Sequence, residues 1–169
     1  ELHRRIALVS RTGTPWTSGA LPDLLASLPY PRHYLDFETV SFIIPRWLGT
    51  RPFQALPFQF SCHTEAADGS LQHTGFLDLS GAAPMADFVE AVLAAVGRVG
   101  PILVWNRGFE AGVLRRLAAD FPRRATELEA AADRMIDLLP IYREHYYHPD
   151  QRGSWSIKAV LPTVAPDLD

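Results

Sequence analysis

The alternation of polar and apolar side chains in the first half of the chain predicts β-strands. Residues 33–37 alternate clearly, and we expect two further strands at residues 57–63 and 71–77. The polar segment ADGS at residues 67–70 separates the second strand from the third and suits a hairpin turn. The pattern therefore predicts an antiparallel meander of three strands.

Apolar spacing changes from strand-like to helical after this meander. Residues 84–99 carry apolar side chains at helical spacing, with Pro84 suited to the first turn. Residues 102–105 form a short apolar run, as expected of a strand buried on both faces. Further helices are expected near 109–119 and at 125–133. The order β-β-β-α-β-α predicts an α/β domain whose fourth strand returns beside the first by a right-handed crossover.

The two ends of the chain give weaker patterns. We expect residues 1–31 to form an N-terminal arm and residues 32–169 to form one domain. Residues 134–147 are expected to be helical in part, and a helix is expected over 156–161, capped by a serine. The chain starts with glutamate instead of methionine, which suggests a piece of a longer protein, truncated at the C-terminal end of the domain.

Composition narrows the class of protein. The chain has 169 residues, 47% of them hydrophobic, enough for one sizeable core. A net charge of −3 argues against a protein that holds duplex nucleic acid mainly by a basic surface. The single cysteine, Cys62, rules out an intrachain disulfide and fits a cytoplasmic location. No apolar run approaches the roughly 20 residues of a membrane helix, so no membrane association is expected.

The sequence YLDFET at residues 34–39 carries the strongest chemical signal. In a strand, side chains two positions apart share a face, so Asp36 and Glu38 point the same way. Burying carboxylates without a partner costs several kcal/mol, and hard divalent cations such as Mg²⁺ or Mn²⁺ prefer oxygen ligands. The pair therefore predicts a metal-dependent active site. The alternative is an ordinary ion pair with Arg32 or Arg51.

Two further acids are candidates for the same site. If the crossover forms, Asn106 and Glu110 leave the fourth strand close to Asp36 and Glu38, and Glu110 becomes a third acid. The alternative for Glu110 is a solvated residue in the first turn of a helix. Asp137 lies among apolar neighbours, and its alternative role is a helix cap or an anchor for backbone groups.

Several separated motifs recur in a fixed order along the chain. They are YLDFET at 34–39, RPF at 51–53, PFQFS at 57–61, residues 106–110, Asp137-Leu138 and GSWSIK at 153–158. In these motifs the chain resembles a bacterial family of domains of unknown function with a YLDFET-type motif, over about residues 33–162. That family is similar to the DEDD-type 3′→5′ exonucleases of the ribonuclease-H-like superfamily.

The resemblance implies a ribonuclease-H-like fold and hydrolysis of phosphodiester bonds with two Mg²⁺ or Mn²⁺ ions, about 4 Å apart. The first exonuclease motif falls on Asp36 and Glu38. The second falls on Asn106, Phe109 and Glu110, with glutamate where the exonucleases have aspartate. The implied metal ligands are Asp36, Glu38 and Glu110, and the implied partner is a nucleic acid, either a single strand or a strand end.

The position of the fourth acid of the exonuclease pattern is open. Asp150 follows His145 and Tyr146 at fitting spacings, but it precedes the expected helix at 156–161, whereas the exonuclease motif follows the corresponding segment. The alternative is a fourth acid beyond Asp169. Asp137 is one of the catalytic candidates. It resembles a recurrent aspartate of the ribonuclease-H-like superfamily that lies outside the four-acid set.

Other residues are candidates for substrate binding. Lys158 is the only lysine, and it either contacts a phosphate or lies on a solvated helix face. A loop interleaves cations and aromatic rings, a composition that stacks single-stranded bases: Phe42, Arg46, Trp47, Arg51 and Phe53. Its alternative role is to pack its own apolar residues over the edge of the sheet.

The sequence thus predicts a metal-dependent nuclease acting on DNA or RNA. The alternative from another class is a catalytically inactive ribonuclease-H-like module that binds nucleic acid or a protein partner. A glycoside hydrolase fits poorly, because acids two positions apart on one strand do not flank a sugar from opposite sides.

Overall fold

The computed structural model describes residues 1–167, so the last two residues of the expected domain, Leu168 and Asp169, lie outside the described part. The elements are α1 Leu2–Thr12, β1 Trp16–Thr17, α2 Leu21–Ala26, β2 Arg32–Val40, β3 Leu56–Glu65, β4 Leu71–Leu77, α3 Met85–Val96, β5 Ile102–Val104, α4 Arg107–Asp120, α5 Ala125–Asp133, β6 Met135–Asp137, α6 Leu138–His145, β7 Tyr146–Tyr147 and α7 Ile157–Val164, with a 3₁₀ turn at Pro149–Gln151.

Two compact units contain these elements. The first, which we call the sheet unit, is the contiguous segment Pro29–Ile136. The second, the terminal unit, combines Glu1–Leu28 with Asp137–Asp169. These divisions fall at other positions than the expected boundary between an arm and a domain. None of the helices within residues 1–167 combines the length and the apolar character needed to cross a membrane.

The sheet unit is built on a five-stranded mixed sheet in the order β4-β3-β2-β5-β6. Strand β2 pairs antiparallel with β3, and β3 pairs antiparallel with β4, which confirms the predicted meander. Strand β5 runs parallel to β2, with His33 opposite Ile102, so the fourth predicted strand does return beside the first. The fold class is therefore mixed α/β, as the order of elements predicted.

The core of the sheet unit lies on one side of β2. Leu35 and Phe37 are each 4% exposed and belong to a cluster shared with helices α3, α4 and α5. Phe88 of α3 is fully buried, and its ring meets those of Phe37, Phe60 and Phe76 edge to face, with centroids 5.7–5.9 Å apart. Edge-to-face packing adds to the energy of burial. This cluster holds α3 against the meander and fixes the face that β2 turns towards the core.

A single arginine organises the turn between α3 and β5. The guanidinium of Arg134 donates hydrogen bonds of 2.7–3.0 Å to the carbonyls of Val96, Gly97, Val99 and Gly100. Carbonyls at a helix C-terminus have no partner within the helix, so the side chain satisfies groups that water or a capping motif would otherwise take. Helix α3 ends where Gly97 adopts a positive φ of 50°. The arginine thereby sets the position from which β5 starts.

The terminal unit contains the elements that the sequence predicted least well. Helix α1 was not expected, and Val9 is its only buried residue. Strand β1 pairs antiparallel with β7, and each has only two residues. Helix α7 is capped by Ser156, one of the predicted serines, and the Ser156 hydroxyl accepts a hydrogen bond from the backbone N–H of Lys158.

Strand β6 was not predicted. Residues 134–147 were expected to be helical in part, which helix α6 confirms, and Met135–Asp137 forms a strand before that helix. Three residues are too few to show a two-residue period. The strand forms because its neighbour β5 is in place beside it, which is a tertiary effect that a local pattern does not contain.

Candidate functional site

Asp36 and Glu38 share the solvent-exposed face of β2, as the alternation predicted. The apolar residues on either side of Asp36 point to the core, so the two carboxylates project from the other side of the sheet. The expectation that both acids are buried is wrong, because the side chains of both residues are exposed. Because both carboxylates are exposed, no bound cation is needed to offset the cost of burying them. The argument for a bound cation rests on the negative charge of the pair.

The negative charge of Glu38 acts on the neighbouring carboxyl group of Asp36. The pKa of Asp36 is raised from its ordinary value, first by partial desolvation of its carboxyl group and second by the negative charge of Glu38. A backbone hydrogen bond from Phe37 lowers the pKa and offsets part of this effect. Ionisation of Asp36 is thus less favourable than that of an isolated aspartate. A divalent cation bound between them would relieve the repulsion.

This raised pKa predicts a pH-dependent gain in stability for Asp36→Asn. The folded protein holds the proton more tightly than the unfolded chain, so the contribution of Asp36 to stability is lost as pH rises from the unfolded pKa through the folded pKa. Removing the carboxylate should therefore stabilise the fold at about pH 7 by no more than about 1 kcal/mol, because the group is exposed. At about pH 3 both proteins are uncharged at this position and should unfold alike.

Thermal unfolding of both proteins at the two pH values measures this difference. Glu129→Gln, an exposed acid on α5, serves as the control, since it removes a carboxylate from the same unit at another place. A stabilisation by Asp36→Asn that is equal at both pH values would contradict the electrostatic cause.

A polar surface extends from the acids across two neighbouring strands. Asp36 lies opposite Ser61, Glu38 lies opposite Gln59, and cross-strand neighbours share a face of the sheet. We call this surface the polar sheet face, and its members are Tyr34, Asp36, Glu38, Gln59, Ser61, His63 and His73. The contribution of the second and third strands was not predicted from the sequence. Their alternation, combined with the hairpin at residues 67–70, is the signal that could have revealed it.

Side chains on this face contact one another. The Ser61 hydroxyl and Nε2 of His73 form a hydrogen bond of 3.0 Å. The rings of His63 and His73, which are directly opposite each other, lie with centroids 4.5 Å apart. Neutral and protonated imidazoles both bind phosphate or water, so the face offers further polar groups beside the acids.

A β-bulge lies at the end of the acid pair. The register of β2 against β3 shifts between Glu38 and Thr39. A bulge inserts an extra residue, bends the strand and redirects the next side chains, and bulges are over-represented next to active sites. Glu38 is thus the last residue before the register shift, and the pairs Thr39 with Pro57 and Val40 with Leu56 follow it before β2 ends.

The second candidate segment begins helix α4. Asn106 precedes the helix with a positive φ of 75°, and the backbone N–H of Phe109 donates to its carbonyl at 3.1 Å. The Phe109 ring is 42% exposed, with its centroid 6.3 Å from that of Phe37. Glu110 is 5% exposed. The start of α4 therefore packs against β2, as the crossover predicted.

The structure does not gather the three proposed metal ligands into one group. Phe109, the neighbour of Glu110, contacts the core-facing Phe37, whereas Asp36 and Glu38 point to the opposite face. Within residues 1–167, no three or more histidine, cysteine, aspartate or glutamate side chains are grouped so that they could hold a metal ion. The pair on β2 nevertheless fits one Mg²⁺ or Mn²⁺, because Mg²⁺ commonly uses one or two carboxylates and keeps several waters or phosphate oxygens.

The remaining candidates belong to the terminal unit. Asp137 caps helix α6, since its carboxylate accepts a hydrogen bond of 3.0 Å from the backbone N–H of Leu139. This is the capping role that the sequence analysis gave as the alternative. Lys158 is exposed in the first turn of α7, and Asp150 is exposed with an oxygen 3.5 Å from Nδ1 of His148. Roles of Asp137 and Lys158 in catalysis or substrate binding stay predictions.

The loop after β2 divides into two parts. In the first part, the rings of Phe42 and Trp47 meet edge to face at 5.4 Å, and Arg46 lies 5.3 Å from the centre of the Phe42 ring. The Trp47 indole N–H donates to the carbonyl of Gly81 at 3.3 Å. The aromatic residues of this part pack against one another, which agrees with the expected role of packing its own apolar residues. The second part, residues 51–54, forms a tight turn.

Comparison with known proteins assigns the chain to a family. No curated protein and no solved structure matches it significantly. Residues 33–156 match the family described as Domain of unknown function (DUF2779), and this range includes β2 from its second residue, the start of α4 and all the proposed site residues except Lys158. The match covers most of the 169 residues, and the chain therefore belongs to the DUF2779 family.

Proposed function

We propose that this protein is a metal-dependent nuclease with a ribonuclease-H-like fold that hydrolyses phosphodiester bonds of DNA or RNA in the manner of a 3′→5′ exonuclease. The observation that carries the proposal is the pair of neighbouring carboxylates, Asp36 and Glu38, on the exposed face of β2. Strand β2 has an antiparallel neighbour on one side and a parallel one on the other, which supports the fold implied by the sequence resemblance.

Asp36 and Glu38 are the proposed ligands of one Mg²⁺ or Mn²⁺. When bound, such a cation would polarise a phosphoryl oxygen and lower the pKa of a water molecule. The two side chains supply charged oxygens on a surface that a phosphate group can reach. A second cation would require a further ligand, and Glu110 is the one that the sequence resemblance implies.

Groups at the start of α4 and on the polar sheet face are suited to holding the substrate. Asn106 and Phe109 are both exposed at the start of α4, where the N-terminal end of the helix favours negative charge. We assign them to binding the nucleic acid. Ser61 and His73, which are hydrogen-bonded to each other on the polar sheet face, add donors beside the acids.

The second candidate is a catalytically inactive module that binds nucleic acid or a protein partner. One observation favours it: within residues 1–167 the acids are not gathered into the group of three or more that the exonuclease mechanism uses. Glutamate at position 110, in place of the usual aspartate, is consistent with this reading. The two candidates differ in whether the protein hydrolyses a strand at all.

Hydrolysis of a 5′-labelled single strand tests the proposal. The protein is incubated with the strand and Mn²⁺, and the product lengths are followed on a denaturing gel, with a parallel reaction containing EDTA. We expect a ladder that shortens from the 3′ end with Mn²⁺ and intact strand with EDTA. Calorimetric titration of the same sample with Mn²⁺ should show binding.

The outcome that contradicts the nuclease is also defined. A folded sample that neither binds Mn²⁺ nor shortens the strand would leave the inactive module as the function. Hydrolysis that continues in EDTA would instead point to a contaminating nuclease or to chemistry that does not need the acid pair.

A further inference from the structure

The segment Arg51 to Gln54 forms a tight turn with an unusual residue in it. The backbone N–H of Gln54 donates to the carbonyl of Arg51 at 3.2 Å, and Oε1 of Gln54 accepts from the backbone N–H of Arg51 at 2.9 Å. Pro52 occupies the second position, and Phe53 occupies the third with a positive φ of 59°. This sign of φ is that of a type II turn, whose third position is normally glycine or asparagine.

Packing does not explain why Phe53 holds this position. A bulky side chain at positive φ is a genuine outlier, and such strain persists where the surroundings or the function require it. The Phe53 side chain is 71% exposed, so little of the ring is buried to compensate. The strained backbone therefore presents an aromatic ring to solvent, and a ligand that contacts the ring is a reason for keeping it.

Phe53 lines an open cavity of about 520 Å³ in the sheet unit. The opposite part of the lining comes from the start of α4. The lining residues that matter here are Arg51, Phe53, Gly108, Phe109, Gly112 and Arg116. Two aromatic rings and two guanidinium groups thus face one space, and Phe109 is held in place by its contact with Phe37 on β2.

Small residues keep the helix side of this cavity open. Gly108, Gly112 and Arg116 are four residues apart and so share one face of α4. A Cβ atom at Gly112 would meet nothing within 4 Å, so no packing contact requires glycine there. Glycine weakens a helix relative to alanine, and one without a packing role fits a surface that another molecule approaches closely.

The cavity is positively charged. Within residues 1–167, neither Arg51 nor Arg116 forms an ion pair with an acidic side chain. None of the described residues that line the cavity is acidic. Guanidinium groups bind phosphate through paired hydrogen bonds, and aromatic rings stack on bases. The lining matches an anion with a flat aromatic part.

We propose that this cavity binds one nucleotide of a single-stranded nucleic acid, with its base against Phe53 and Phe109 and its phosphate at Arg51 and Arg116. The inference rests on the proposed nuclease function and names the form of its substrate. A single strand is favoured over a duplex because only an unpaired base exposes both faces for stacking. Phe109 contacts Phe37, so the cavity adjoins the core-facing side of β2, the strand whose opposite face carries Asp36 and Glu38.

Binding of a fluorescent oligothymidylate in EDTA tests the aromatic part of the proposal. Fluorescence anisotropy measures affinity without hydrolysis, for the full chain and for Phe53→Asn. Asparagine tolerates positive φ, so this variant should be as stable as the parent or more stable. We expect it to bind the strand at least about fivefold more weakly, the lower end of the effect of removing a stacked base. Leu48→Asn, at a fully exposed residue of the same loop outside the cavity, should bind normally.

Salt dependence tests the charged part. Each phosphate contact to a single strand contributes about −0.7 to the slope of log affinity against log salt. Arg116→Gln should reduce that slope by about this amount and weaken binding at low salt. Arg123→Gln, which removes an exposed arginine outside the cavity, is the matched control and should leave the slope closer to that of the parent.

The outcomes of these binding experiments distinguish nucleotide binding in the cavity from the proposed nuclease activity. Weak binding by Phe53→Asn and Arg116→Gln supports the cavity even if the parent protein hydrolyses nothing. Strand hydrolysis by the parent, together with unchanged binding by both variants, overturns the cavity and leaves the nuclease standing. Equal binding of a duplex, or equal competition by polyglutamate, which has no bases, also overturns it, as does a parent protein that does not bind the strand.

Discussion

Asp36→Asn is expected to lower the rate of strand hydrolysis at least about 100-fold at saturating Mn²⁺. The change removes one of two charged oxygen ligands, and a bound cation stabilises the transition state by several kcal/mol, of which each 1.36 kcal/mol is tenfold in rate. Asparagine keeps the size of the side chain and one oxygen. The initial rate of shortening of a labelled strand, measured for both proteins at equal concentration, gives the ratio.

The stability of Asp36→Asn serves as a control for its folding. Asp36→Asn is expected to be slightly more stable than the parent near neutral pH, so a loss of rate would not reflect unfolding. Asp120→Asn, at the exposed end of α4, makes the same chemical change elsewhere and should keep the parent rate. If Asp36→Asn hydrolyses the strand at more than about half the rate of Asp120→Asn, the acid pair is not the catalytic centre, because a loss this small is under 1 kcal/mol.

Gly100→Ala is expected to destabilise the protein by at least about 3 kcal/mol, from backbone strain and overpacking together. Gly100 has a φ of +82°, and a Cβ atom there would lie 1.9 Å from the carbonyl oxygen of Pro31. That oxygen belongs to the backbone just before β2, so it has no rotamer through which to move aside. Equilibrium unfolding in urea, monitored by tryptophan fluorescence, measures the loss.

Gly69→Ala separates the contact from the conformation. Gly69 has the same φ of +82° in the hairpin between β3 and β4, but a Cβ atom there would meet nothing within 4 Å. Its substitution should cost only the strain of the left-handed conformation, about 1–2 kcal/mol. Equal losses for the two variants would show that the approach to Pro31 is not what requires glycine at position 100.

The sequence predicted the elements that have a clear period. The bounds of β4 and α5 agree with the expected ranges, because alternation and helical spacing are local properties of the chain. The pairing of β5 with β2 was predicted from the order of elements and the rule for crossovers. Strand β6 and the grouping of the two chain ends into one unit depend on contacts between distant segments, which no local period records.

The features of the candidate site were likewise predictable only where they depend on a local pattern. The shared face of Asp36 and Glu38 follows from alternation alone, whereas their exposure depends on which side of the sheet the helices cover. The place of Glu110 relative to the pair depends on how α4 starts, and the crossover rule does not specify side-chain positions. His63 and His73 belong to the polar sheet face because of the register between β3 and β4. This register can be predicted from the sequence only once the turn between the two strands is known.

The hydrogen bonds of Arg134 couple the opening of two parts of the sheet unit that are far apart in sequence. The four carbonyls it binds belong to residues 96–100, more than 30 positions earlier in the chain. If the segment from α5 to β6 detached, these carbonyls would lose their partners together. We therefore expect the end of α3 and the start of β6 to open together as one cooperative unit, and hydrogen exchange of their backbone amides should show similar protection.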